Sequence, residues 1–133
     1  MTETTQELPQ EQEEWVKQQY QSAMKYLAEK GIVTQQVAVE KSRYIAPLVS
    51  IWHMSDDNNK GYWVISGDVP CDHVSLESAP GPRDVLRHFA LKWQLQADRL
   101  IKSADEQPQK FGKELIQKAE SLYRLYEAED LWQ

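Results

Sequence analysis

Residues 11–133 predict a single α+β domain: an N-terminal helix, a central antiparallel β-hairpin, and two C-terminal antiparallel helices packed on the sheet. Three observations carry this expectation. Apolar residues recur at helical spacing over 11–30, 82–103 and 110–130. Two β-branched and aromatic runs, Leu48 to Met54 and Tyr62 to Ser66, flank the turn-forming stretch from Ser55 to Gly61. The 133-residue length also suits one domain with a core of its own.

Residues 1–10 (MTETTQELPQ) have no apolar period and read as a flexible acidic tail. The first helix follows, with Glu11, Glu13 and Glu14 at its positive end. Trp15, Val16, Tyr20, Ala23, Met24 and Leu27 share one side of it, and Gly31 is its expected stop. Residues 32–46 are ambiguous. Val33, Val37 and Val39 alternate as on a third strand, while Thr34 suits the cap of a short helix. Pro47 cannot donate to a ladder and marks the start of the first hairpin strand. That strand carries Leu48, Trp52 and Met54 on one face and Val49 and Ile51 on the other, and Trp52 and Trp63 read as cross-strand partners. Gly67 to His73 reads as a turn leaving the sheet.

Pro82 suits the first turn of the next helix. Its main apolar face is Leu86, Phe89, Ala90, Trp93, Ala97 and Leu100, and Leu91 and Leu95 form a second face. Apolar residues on two sides predict a helix packed on two sides, hence a central one. A polar link from Ser103 to Gln109 leads to the last helix, which is expected to bury Phe111, Leu115, Ala119, Leu122 and Tyr126.

Composition excludes several function classes. Fifteen Lys and Arg against 21 Asp and Glu give a net charge of −6, the wrong sign for displacing counterions from nucleic acid. No apolar run approaches the roughly 20 residues of a membrane span. The acidic, polar start is the reverse of a secretory signal, so the expected location is the cytoplasm. One cysteine, Cys71, can form no internal disulfide. Five Trp beside two Phe leave an aromatic excess to be placed.

Three segments stand out together: Ser42-Arg43-Tyr44 through Ile51-Trp52, Tyr62 to His73 with its Ser66-Gly67-Asp68-Val69-Pro70-Cys71-Asp72 core, and Arg83 to Phe89 followed by Trp93-Gln94-Leu95. In these the chain resembles a bacterial family known as domain of unknown function 4826, over nearly all of its length from Trp15 onward. The resemblance implies a single-domain bacterial protein and brings no activity, substrate or cofactor. It also implies Thr as a common residue at position 71, and therefore a thiol that is not essential.

The chemistry-bearing residues fall into a few groups. Asp68, Asp72 and His73 share the turn after the hairpin, with His53 and His88 elsewhere. Two carboxylates and an imidazole suit a metal or an acid–base pair, but ordinary turn chemistry accounts for them as well, and the spacing matches no metal motif. Arg83, Arg87 and Gln94 form a polar stripe at the start of the 82–103 helix. The stripe suits a small anion, or ion pairs of Arg87 with Asp84 or Asp68 and of Arg83 with Asp72. A thiolate at Cys71 is opposed by the Asp68 and Asp72 carboxylates. Trp132, beyond Glu127, Glu129 and Asp130, either tucks back or docks on a partner.

Two expectations follow. The first is a non-enzymatic binding or adaptor module acting through protein contacts, with a protein partner or a second copy, no cofactor and no metal. The alternative is a small-ligand protein or hydrolase whose site draws on Asp68, Asp72, His73, Arg83, Arg87, His88 and Gln94.

Overall fold

The computed structural model describes residues 10–133, so the expected acidic tail lies outside the described residues except at Gln10, which is already helical. Contacts within the chain group it into two compact units, one running to Glu77 and one from Ser78 to Gln133.

The first unit opens with helix α1, Gln10–Glu29, which carries Glu11 and Glu13 in its first turn. Gly31 stops it as expected. At φ 80° it turns the chain so that its N–H bonds the Ala28 carbonyl and the Ile32 N–H bonds the Leu27 carbonyl, each at 2.9 Å. Ile32 then packs on the cluster that contains Leu27, the apolar contact that accompanies this kind of helix end.

A fully antiparallel five-stranded sheet follows, wider than the expected hairpin: β1 Thr34–Val37, β2 Arg43–Ile45, β3 Val49–Asp56, β4 Gly61–Gly67 and β5 Asp72–Ser75. The ambiguous 32–46 stretch contributes two of these strands. β1 pairs with the C-terminal part of β3 and β2 with its N-terminal part, on the same side. A 3₁₀ turn at Val39–Lys41 separates them. The turn predicted at 67–73 is shorter than expected, because Asp72 and His73 already belong to β5 and pair with Ile65 and Val64.

The hairpin loop between β3 and β4 is organised by Asp56. One of its carboxylate oxygens accepts the N–H groups of Asn58 and Lys60, each at 2.9 Å, and Asn59 takes φ 63°. These backbone donors hold the Asp56 carboxyl below its usual range.

The register pairs Trp52 with Val64 and Trp63 with His53. The two indoles therefore lie on opposite faces and are not the partners expected; a one-residue offset exchanges faces on a pleated sheet. Trp63 instead meets the His53 ring edge-on at 5.0 Å. On the Trp52 face, Met54, Tyr62 and Val64 join Ala23 and Leu27 of α1 in one apolar cluster, with Val16, Tyr20, Met24 and Tyr26 packed around it. Val49, Ile51, Trp63 and Ile65 on the other face are buried too.

Two serines of the strands β3 and β4 are fully buried. Ser50 and Ser66 face each other across the two strands, with their hydroxyl oxygens 2.7 Å apart. The Trp52 indole N–H donates to Ser50 at 3.0 Å, and Ser66 donates to the Gln19 carbonyl of α1 at 3.3 Å. With Ser50 donating to Ser66, the three protons run in one direction and every member is satisfied.

The second unit is a helix pair, α2 Pro82–Ile101 and α3 Glu106–Glu127, closed by a 3₁₀ turn at Glu129–Trp132. The helices are antiparallel: a methyl group at Gly112 would sit 2.9 Å from the Leu100 side chain, while Arg83 at the other end of α2 bonds the Tyr126 carbonyl. α3 starts at Glu106, earlier than expected, with Pro108 in its first turn, where a missing N–H costs little. Leu86, Phe89, Trp93, Leu115, Ala119 and Leu122 of the two helices are buried as expected. Two expectations fail here. Phe111 is 48% exposed, because Gly112 takes the inward position beside it. Leu91 and Leu95 are 43% and 67% exposed, so α2 is not covered along its second apolar side.

Candidate functional site

The turn residues singled out by sequence meet a tyrosine from α1. The Tyr26 hydroxyl lies 2.9 Å from His73 Nδ1 and is also hydrogen-bonded to the Asp72 carboxylate. A phenol has one proton. If it goes to the carboxylate, the oxygen accepts from an Nδ1–H, which fixes the His73 tautomer. Burial and the neighbouring Asp72 and Cys71 push the Tyr26 phenol up to about 12. The Lys30 ammonium lies 5.5 Å from the Tyr26 ring, and the Tyr62 ring meets His73 edge-on at 5.7 Å. Asp72 also accepts its neighbour's backbone N–H, from His73, at 2.8 Å.

This cluster joins α1 to β5. Its phenol is raised, and burial, Glu29 and Asp72 push the Cys71 thiol up as well, so neither is an activated nucleophile at neutral pH. Among the described residues, no group of three or more His, Cys, Asp or Glu side chains is placed to share a metal ion. Asp68 sits one step outside β4, its N–H donating to the Leu48 carbonyl at 2.9 Å. Gly67 before it has φ 131°, and a Cβ there would lie 2.6 Å from the same carbonyl. The Ser-Gly-Asp segment therefore follows from the close approach of two backbones and a buried hydroxyl network.

The basic stripe on α2 divides. Arg83 is engaged by α3: its Nε donates to the Tyr126 carbonyl at 2.9 Å and its Nη2 pairs with Glu129 at 2.9 Å. The guanidinium also lies over the Tyr126 and Trp132 rings, 5.3 and 5.9 Å from their centroids. Trp132 tucks back, its indole N–H donating to the Leu125 carbonyl at 3.0 Å. Arg87 and His88 instead border a surface hollow of about 460 Å³ shared with Asp84, Leu91, Lys92 and Leu95. The His88 ring meets Phe89 edge-on at 5.6 Å. Gln94 is half-buried on α2 and does not border that hollow.

A second concavity lies in the first unit. Val16 and Tyr20 of α1, Val37 of β1, Val39 of the 3₁₀ turn and Trp52 of β3 line a groove of about 340 Å³, with Glu13 and Lys17 at its rim. Its surface is almost wholly apolar, and its volume is in the usual range for ligand sites. Val39 is 66% exposed at its edge, and the Tyr20 and Trp52 rings are 5.4 Å apart. The sequence signal was present but divided: Val16 and Tyr20 belong to the apolar face of α1, and Val37 and Val39 to the ambiguous segment.

Among the described residues, no helix is long and apolar enough to cross a membrane. No curated protein and no solved structure matches the chain. A family described as a domain of unknown function matches residues 9–132, nearly the full sequence, and the chain belongs to that family, DUF4826.

Proposed function

We propose that this is a non-catalytic, cytoplasmic binding module that holds an apolar side chain of a protein partner in the groove between α1 and β1. The groove itself carries this reading. It exposes aliphatic and aromatic surface in a concave shape, where such surface gains most from being covered. Glu13 and Lys17, four residues apart at the rim, give the partner one cation and one anion to match. Near β5 the raised Tyr26 phenol and Cys71 thiol favour binding over chemistry, since neither offers an activated nucleophile.

Val39→Glu tests this, because an exposed position tolerates a charge without unfolding and the new carboxylate sits at the groove edge beside Glu13. Tagged wild type and variant are compared in quantitative pull-downs, and the recovered partner is then titrated calorimetrically. A partner that binds the wild type and loses about tenfold or more in affinity for the variant supports the proposal. Equal binding to both overturns it. A second reading, a small-anion site, rests on Arg87, His88 and Lys92 sharing one hollow on α2. Phosphate-dependent shifts of the His88 ring resonances would support it, and unmoved resonances would remove it.

A further inference from the structure

The exposed side of α2 carries a pattern that the groove reading does not use. Asp84, His88, Leu91, Leu95, Asp98 and Lys102 recur at alternating steps of four and three and fall within about 80° of arc on the helix. That is the seam spacing of a two-helix coiled coil, and on this chain it points outward, with Leu91 and Leu95 exposed at its middle. At the outer end Asp98 and Lys102 pair with each other at 3.0 Å, and both are largely exposed.

The stripe is complementary to itself when reversed. Laid antiparallel against a second α2, Leu91 meets Leu95, His88 meets Asp98, and Asp84 meets Lys102, each twice about a two-fold axis at the level of residue 93 on the exposed side. No parallel alignment does this, since in-register copies would place Asp84 on Asp84 and Lys102 on Lys102. We propose that a second copy of this chain docks antiparallel on the exposed face of α2, forming a two-fold dimer centred on Leu91 and Leu95. An interface of this kind is isologous, as a two-fold requires. The hollow beside Asp84, His88 and Leu91 offers room for the outer end of the partner helix. One contact opposes the pairing: Lys92 lies close to its own copy near the axis. Its ammonium lies 5.8 Å from the Phe89 ring of its own helix, which draws it away from the axis. Four leucines and one helix face bury less than a standard interface, so the dimer forms at high concentration and dissociates on dilution.

Sedimentation velocity on the full chain from about 10 µM to about 1 mM reads the association, a range that brackets weak pairing. The expected result is a sedimentation coefficient that rises with concentration for the wild type and stays monomeric for Leu95→Asp, a change at an exposed position. Register is tested by charge reversal. Asp84→Lys and Lys102→Glu should each weaken self-association, because each places like charges together twice. Mixed, the two variants restore both pairs, and native mass spectrometry should show the heterodimer in excess of either homodimer. If Asp84→Lys perturbs the helix start by circular dichroism, Asp98→Lys, at an exposed position, replaces it as a single variant that should weaken the dimer. A wild type that remains monomeric throughout the range, a Leu95→Asp variant that associates as the wild type does, or a mixture that shows no preference for the heterodimer overturns the proposal.

Discussion

Removing the Ser50 hydroxyl should cost far more than removing that of Ser66, although the two are a symmetric pair in the sheet. In Ser50→Ala, the Trp52 indole N–H loses its 3.0 Å acceptor while remaining buried. An orphaned buried donor costs about 1–3 kcal/mol, and the lost Ser50–Ser66 bond adds about 1 kcal/mol. In Ser66→Ala, Ser50 still accepts from Trp52 and can donate to the Ser66 main-chain carbonyl at 3.3 Å, so no donor is stranded. That variant should lose only about 1 kcal/mol. The expected difference is therefore about 2 kcal/mol, and the double variant should fall short of additivity, because the shared Ser50–Ser66 bond is counted once and only the Ser66–Gln19 bond is lost in addition to the effect of Ser50→Ala. Urea unfolding followed by far-ultraviolet circular dichroism measures all three, avoiding fluorescence that the change beside Trp52 would itself alter. Equal losses for the two single variants, or full additivity in the double variant, would refute the directed network.

Two further outcomes are expected. Ultraviolet titration of Tyr26→Phe, subtracted from the wild type, should show one phenol ionising at about 12, and a difference curve centred near the ordinary tyrosine value of about 10 would contradict the geometry around it. The sign follows: a phenol pKa raised on folding stabilises the protein below about pH 10, and that contribution is lost as pH rises toward 12, so the variant should lack this part of alkaline unfolding. Gly67→Ala should lose roughly 2–4 kcal/mol by urea unfolding, combining a strained backbone at φ 131° with a methyl pressed against the Leu48 carbonyl, and a loss below about 1 kcal/mol would mean the two backbones can separate.

The elements legible in the sequence were those whose signals are local. Gly31 after a helical period gave a helix end, and the Ser55–Gly61 turn chemistry between two β-rich runs gave the central hairpin. Asp72 to Ser75 carries no such signal: its Asp and its Pro70-Cys71 approach look like a turn, and it becomes a strand only because β4 offers an edge to pair with. Tyr26 and His73 are 47 residues apart, and nothing near either announces the other. Leu91 and Leu95 show the opposite failure. Their spacing is correct for an apolar face, but periodicity reports which residues share a side and not whether that side is covered.

The division of one sheet margin into β1 and β2 has a consequence for how the protein behaves in a crowded solution. The two long strands, β3 with eight residues and β4 with seven, are interior, and every margin is short: four residues in β1, three in β2 and four in β5. A misfolded neighbour seeking backbone partners finds a register shift between Thr34 and Gln36, then a 3₁₀ turn, before it has formed more than a few ladder bonds. The irregularity that made residues 32–46 hard to read therefore denies aggregating chains a template, and the β-branched, aromatic strands that build the core stay shielded from edge-to-edge growth.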